Sequence, residues 1–222
     1  MPDPQKRVGG MALANGLLVH SGSHWAAAIR DRDDRLIIAS GRKPRLVRGP
    51  LGRLPVVRGV LRLAEGLAVL PALRRALPES RFAFEEGPAF KVLVGSTALA
   101  ALARRGSRSV VTGEAVGATI GIMPMLIALR GSRAAVWHAV EHKSIAAYEA
   151  GGPEEVARAQ DHPKEHPRCG SNLVLPMVLT TGVVNVVLRG LVPRAGARAR
   201  LIGAGLSIGA AAEMFAFADR RP

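Results

Sequence analysis

The second half of the chain carries long apolar runs that contain almost no charge. The run Val110–Leu129 has one charged residue, the run 172–188 has none, and the run 201–218 has one. A helix needs about 20 apolar residues to cross the hydrocarbon core of a bilayer, and about 17 is the lower limit. Three runs meet that length, and a fourth run, 92–103, is marginal. The pattern predicts a membrane bundle of three to four helices.

An alternative interpretation is a soluble protein, because a helix that is apolar on all sides can also form a buried core. A chain of 222 residues has little polar surface with which to cover three such helices. Glycines at four-residue spacing, such as Gly113, Gly117 and Gly121, also suit close helix packing in lipid. The membrane interpretation is therefore preferred.

Charge and aromatic content indicate the kind of partner. The formal net charge is +14, and aromatic residues make up only 4% of the chain. Few aromatic side chains leave little for base stacking, whereas basic residues beside apolar runs suit an anionic lipid surface. We expect membrane lipid as a partner and no specific nucleic acid. Protein partners are not indicated.

The first 90 residues differ from the rest. Segments 25–30 and 35–40 flank the acidic stretch 31–34, which predicts a hairpin. Segment 55–77 has helical spacing with interleaved arginines, which predicts an amphipathic helix lying either on the membrane face or on the hairpin. The expected fold is mainly α, with an N-terminal α+β module (1–90) followed by the bundle (91–222).

Localisation follows from the termini and the flanking charges. The chain opens without an apolar export signal, so we expect the N-terminal module in the cytosol of a bacterium and the bundle in its plasma (inner) membrane, crossing it several times. Arginines flank both ends of nearly every run, so the positive-inside rule leaves the orientation open.

One motif in region 134–171 can carry chemistry. His138, Glu141 and His142 form H-x-x-E-H. On a helix the two histidines lie one turn apart on one face, where two imidazoles can bind one tetrahedral metal ion. Glu141 lies beside them, where it can act as general base on the attacking water. The alternative is a coincidental pattern on a helix surface.

A metal ion bound by two histidines needs further ligands, and a downstream loop contains residues that can supply them. His166 and Cys169 lie in a segment punctuated by proline and glycine, which can fold back over the helix. Glu149 shares the helical face but lies roughly 10 Å along the axis from His142. We therefore expect Glu149 to orient one of the metal ligands rather than to bind the metal itself. The expected cofactor is a divalent metal, most simply zinc. Cys169 could instead be a buried structural thiol.

At these residues the sequence resembles the YqhQ family of bacterial membrane proteins, predicted metal-dependent enzymes of unknown function. The resemblance lies in HAVEHKSIAAYEA at 138–150, in HPRCGS at 166–171, and in the opening VGGMALANGLLVHSG. It implies a multi-pass membrane protein with His138, Glu141, His142, Glu149, His166 and Cys169 on the matching positions. Met11, Asn15 and His20 depart from the family's glutamine, glutamate and arginine.

Three functions remain open on the sequence. The first is a membrane-embedded metal-dependent enzyme, with hydrolysis as the expected chemistry and Glu141 as the catalytic residue. The second is a metal-stabilised membrane scaffold or assembly factor, since four protein ligands would close the metal's coordination. The third is a transporter that uses Glu114 and Glu213 inside the bundle, although each of these could simply pair with an arginine near a helix end.

Overall fold

The computed structural model describes residues 8–46, 49–85, 89–129, 133–166, 169–192 and 196–218. The chain is mainly helical, and a four-stranded antiparallel sheet precedes the helices. The described residues form two compact units. The first unit takes the chain up to Arg45 together with Glu65–Phe90 and Leu126–His166. The second takes Leu46–Ala64, Lys91–Met125 and the described chain after His166. The boundary expected at residue 90 stays a prediction.

The sheet of the first unit is a meander of four strands. They are β1 (Gly9–Leu13), β2 (Gly16–His20), β3 (His24–Arg30) and β4 (Leu36–Arg42), each paired with the next. The predicted hairpin is confirmed as β3–β4, in which Arg30 pairs with Leu36. The β1–β2 hairpin was not predicted, because its strands are five residues long and both begin with glycine, which weakens the strand signal.

One face of this sheet supplies the core of the first unit. Alternate residues of β3 are buried, as expected for a strand with one face toward a core. They pack in one cluster with residues of and around α2 (Leu70–Ala76). The buried apolar members are Leu13, Leu18, Trp25, Ala27, Ile29, Val69, Leu73, Leu77 and Phe82.

The single helix expected over 55–77 is wrong. The segment forms two helices, α1 (Val57–Leu67) and α2, with a turn between them. Pro71 explains the break, because it has no N–H to donate to the Leu67 carbonyl four residues earlier, and its ring would clash there. Proline is tolerated in the first turn of α2, where it stands.

Asn15 fixes the β1–β2 turn to a segment about 65 residues away. Its Nδ2 donates to the carbonyls of Arg30 (2.8 Å) and Glu79 (3.1 Å), and its Oδ1 accepts from the Arg81 N–H (2.9 Å). The side chain is buried, so these bonds satisfy groups that water does not reach. Asn15 therefore has a structural role in this chain.

Among the residues that the structure describes, two helices are long and apolar enough to cross a membrane. The helices α3 (Ala89–Gly106) and α4 (Val110–Leu129) lie mostly in the second unit, and α6 (Val174–Leu191) and α7 (Ala197–Ala218) lie wholly in it. Gly170–Leu191 has a mean hydropathy of 1.7 and Arg198–Phe217 one of 1.3. Val110–Pro124 of α4 is a shorter apolar stretch among the described residues. That any of these four helices crosses a membrane stays a prediction.

The two glutamates within the apolar runs are both paired with arginine. Glu213 accepts from Arg58 Nε at 2.6 Å, and Glu114 accepts from Arg104 Nε at 2.9 Å. Both glutamates therefore form the arginine pairs that were the alternative to a transporter role. Close packing of α6 on α7 accompanies these pairs: Thr180 Oγ1 donates to the Ser207 carbonyl at 2.9 Å.

The Asn15 bonds make a test of the first unit. We expect Asn15→Ala to lower the free energy of unfolding by about 2–4 kcal/mol, because it leaves two carbonyls and one N–H without their partner. Thermal unfolding of the purified chain measures this. Arg32→Ala, at an exposed position of the β3–β4 turn, is the control and should leave the midpoint unchanged. Equal midpoints for Asn15→Ala and the control would contradict the assignment.

Candidate metal centre

The H-x-x-E-H motif lies in the middle of α5 (Arg133–Gly151), a helix of the first unit. The His138 and His142 rings have centroids 4.2 Å apart and are tilted by 54°. His142 and Glu141 are buried, and His138 is half-buried. The two imidazoles therefore share one face of the helix, as the spacing predicts.

A backbone carbonyl sets the tautomer of His142. Its Nδ1 is hydrogen-bonded to the carbonyl oxygen of Lys164. A carbonyl oxygen can only accept, so Nδ1 carries the hydrogen and the neutral ring has its lone pair on Nε2. Histidines that bind metals are commonly oriented in this way, by a carbonyl or carboxylate on the other nitrogen.

Glu141 is held in a dry position against the sheet. A Cβ on Gly10 of β1 would overlap the Glu141 carboxyl group, so the strand backbone lies directly on that side chain. Burial raises the pKa of the Glu141 carboxyl to about 7, while His142 acts in the opposite direction. A carboxyl group with a pKa near 7 can both take and return a proton at neutral pH.

His138 completes the α5 part of the centre. Its Nδ1 lies 3.2 Å from Glu141 Oε2, within hydrogen-bonding distance. Burial lowers the pKa of the His138 imidazole, so the ring is neutral at neutral pH. A neutral imidazole is the form that binds a metal ion.

The segment after α5 returns to the same helix. Gly152 ends α5 with φ +83°, a left-handed conformation that favours glycine, and its N–H donates to the Tyr148 carbonyl at 2.8 Å. Lys143 Nζ then donates to the Gln160 carbonyl at 2.6 Å. The predicted return of this segment over the motif helix is thus observed up to residue 166.

The return brings a third histidine to α5. His166 Nε2 lies 3.4 Å from Glu149 Oε2, and the His166 ring centroid is 5.9 Å from that of His142. Both side chains are largely buried. Glu149 thus contacts His166, as a residue that orients a metal-binding histidine must. That role for Glu149, and ligation by His166, stay predictions.

Cys169 belongs to the second unit. It is buried and precedes the 3-10 turn Gly170–Leu173, where its Sγ accepts from the Ser171 N–H at 3.4 Å. Pro167 and Arg168 of the H-P-R-C-G motif lie outside the described residues. Ligation by Cys169 stays a prediction.

The three departures from the YqhQ pattern lie in strands β1 and β2 and in the turn between them. Met11 packs against the apolar cluster, and Asn15 fixes the β1–β2 turn. The Nδ1 atom of His20 lies 3.2 Å from the Nζ atom of Lys43. Burial, and secondarily the Lys43 charge, lower the pKa of His20. Each substituted residue therefore has contacts of its own in this sheet.

Sequence reasoning missed two contributors to the centre. The Lys164 carbonyl could not be found, because a backbone atom leaves no trace in residue type. Gly10 left a faint signal: a Gly-Gly pair at the start of a strand suggests close approach of another group.

The donor set of the first unit fits a divalent zinc-like ion. Imidazole nitrogens are favoured ligands of zinc, and His142 has its Nε2 lone pair fixed for that purpose by the Lys164 carbonyl. A buried carboxyl group lies beside the imidazoles. These residues could hold a metal ion and place a proton acceptor next to it.

Replacement of Gly10 tests the packing of Glu141. We expect Gly10→Ala to lower the free energy of unfolding by about 1–3 kcal/mol, because the added methyl group overlaps the carboxyl group. Gly10→Ala combined with Glu141→Ala should cost less than the sum of the two single changes, since the clash is then removed. Thermal unfolding of the four chains measures this.

The control for that cycle is Gly22→Ala, because a Cβ at Gly22 meets nothing within 4 Å. Strict additivity of Gly10→Ala and Glu141→Ala would contradict the contact.

The pKa of Glu141 predicts a pH dependence of the metal-free chain. An unfolded glutamate releases its proton near pH 4.5, whereas folded Glu141 holds it to about pH 7. The folded state binds more protons in this window, so stability falls as the pH rises from about 4.5 to 7, by about 3 kcal/mol in total. Thermal unfolding in chelator measures this, and Glu141→Gln should lack the decline. Parallel pH curves for the two chains would contradict it.

Comparison with known families supplies one match. Residues 119–220 match the family model described as "Protein of unknown function (DUF1385)". The matched segment contains α5, the returning segment and the described parts of α6 and α7. Neither the curated proteins nor the solved structures contain a match to the chain. The match agrees with the YqhQ resemblance at the level of an uncharacterised family.

Proposed function

We propose that this chain is a membrane-embedded, metal-dependent enzyme of YqhQ type, and that its chemistry is hydrolytic. The observation that supports it most is the buried Glu141 carboxyl group beside His138 and His142, with the His142 tautomer fixed by a backbone carbonyl. A helix face with a purely structural role does not require a buried carboxyl group beside two histidines that hydrogen bonds hold in place.

The ligands in this proposal are His138 and His142, completed by His166, Cys169 or both. Cys169 follows His166 by three residues, so chain length alone keeps their Cα atoms within about 11 Å. Glu149 orients His166 through the contact between Oε2 and Nε2. A bound zinc ion would supply Lewis acidity, which polarises the scissile bond and makes water more acidic.

The proton chemistry in this proposal belongs to Glu141. Its carboxylate accepts the proton of the attacking water, and its pKa near 7 lets it return that proton to the leaving group. The Gly10 backbone lies against that carboxyl group, which is buried. Partners and localisation follow the sequence interpretation: a bacterial plasma membrane with anionic lipid.

The alternative is a metal-stabilised scaffold without catalysis. One observation favours it: α5 already fixes the returning segment through Lys143 and His142, so a metal ion could complete a structural clamp. If both His166 and Cys169 bind the ion, four protein ligands leave no position for water.

Metal content is the primary test. We expect about one zinc or other divalent ion per detergent-purified chain by plasma mass spectrometry, and its loss in His138→Ala/His142→Ala. His24→Ala, the control, removes an exposed histidine of the same unit and should keep the metal. Absence of metal from the wild-type chain after reconstitution with zinc would overturn both the enzyme and the scaffold.

Glu141→Gln separates the two proposals. The amide cannot accept a proton, so we expect it to keep the metal and to lower hydrolysis of a panel of ester, amide and phosphoester substrates by 10²-fold or more. A chain that binds metal, and whose activity on this panel is absent or unaffected by Glu141→Gln, would contradict the enzyme and favour the scaffold.

A further inference from the structure

The second unit contains a basic cavity that the metal centre does not use. It measures about 600 Å³, and its polar lining comprises Arg104, Arg105, Ser107, Glu114, Asn185, Arg189 and Arg200. Four arginines face one carboxylate, a surplus of three positive charges. All these residues lie at one end of the helices: in the last turn of α3, the α3–α4 connection, the first two turns of α4, the last two turns of α6 and the first turn of α7.

The cavity has an organised polar wall. Buried Glu114 accepts from Arg104 Nε and from Asn185 Nδ2, each at 2.9 Å, and Arg189 Nη2 lies 3.4 Å from its Oε1. Arg189 Nη1 also donates to the Arg104 carbonyl at 3.3 Å. One carboxylate thus holds two arginines in place. Among the described residues, no carboxylate pairs with Arg105 or Arg200, so their charges remain available to a ligand.

An apolar cavity of about 370 Å³ adjoins the basic one. Arg104 and Glu114 line both of them. The rest of the apolar lining comes from α4, from α6 and from the turn before α6, and includes Ile122, Leu173, Val174, Met177 and Val178. A Cβ on Gly117 would lie 2.8 Å from the Arg104 guanidinium carbon, so the absence of a side chain there lets Arg104 lie between the two cavities.

We propose that the two cavities together form a binding site for one anionic phospholipid, with the phosphate headgroup among the arginines and an acyl chain along the apolar cavity. The site shares no residue with the proposed metal centre and rests only on membrane insertion of the second unit. Cationic residues at the ends of apolar helices lie at the depth of lipid headgroups.

A lipid fits both cavities better than a free phosphate does. The surplus of positive charge attracts any phosphate group, but inorganic phosphate leaves the apolar cavity unused. That cavity runs beside Gly170–Leu191, one of the two helices apolar enough to cross a membrane. An arginine guanidinium group can donate two parallel hydrogen bonds to phosphate oxygens, which adds directional bonding to the attraction between opposite charges.

Native mass spectrometry of the full chain in neutral detergent tests the site, with phosphatidylglycerol, phosphatidylcholine and inorganic phosphate as probes. We expect one phosphatidylglycerol to bind, with at least tenfold preference over phosphatidylcholine. Arg105→Gln/Arg200→Gln should weaken its binding about tenfold or more, since each basic residue near an anionic headgroup contributes appreciably. These two positions are exposed and do not hold Glu114, so the fold should tolerate the change.

The matched control is Arg108→Gln/Arg198→Gln, which removes two exposed arginines that do not line the cavity. It should retain phosphatidylglycerol. Equal weakening in this control would show general surface attraction and overturn the site.

Gly182→Leu tests the acyl chain. Gly182 lines the apolar cavity, and a Cβ there meets nothing within 4 Å, so leucine fills space without a clash at its branch point. We expect at least a tenfold loss of phosphatidylglycerol. Gly190→Leu, equally open but outside that lining, is its control and should bind normally. Binding of inorganic phosphate as tight as that of the lipid, with no effect of Gly182→Leu, would overturn the lipid in favour of a phosphate site.

Metal content of the same variants separates this proposal from the proposed enzyme. It should be unchanged in all of them, so failure of lipid binding says nothing against the metal centre.

Discussion

Contact between the Gly10 backbone and the Glu141 carboxyl group joins the sheet of the first unit to its motif helix. It brings a strand from the start of the chain against the middle of α5, and only a residue without a side chain permits that approach. The contact excludes water from the carboxyl group, and the same burial raises its pKa to about 7. A packing requirement and a chemical property thus have one physical cause.

Around that contact, hydrogen bonds to backbone carbonyls fix what side chains alone would leave free. The Lys164 carbonyl orients His142, and the Gln160 carbonyl receives Lys143. Asn15 does the same for the sheet, through the carbonyls of Arg30 and Glu79. Each bond joins segments far apart in sequence, so the arrangement of the first unit depends on the complete set.

The second unit solves a different problem, the placement of charges among apolar helices. Glu114 and Glu213 would be costly there if they were alone, and each is held by arginine. Around Glu114 the arginines outnumber the carboxylate, which leaves a positive cavity next to an apolar one. The proposed lipid site is therefore a consequence of the way in which the buried acid is neutralised.

The sequence alone determined the helical character of the apolar runs, the β3–β4 hairpin and the helical face shared by His138 and His142. These features depend on periodicity and on short spacing, which residue types encode directly. The tertiary structure decided the rest. It brought His166 to Glu149 and placed Gly10 on Glu141. Such contacts join residues far apart in the chain or involve backbone atoms, and no local pattern records either.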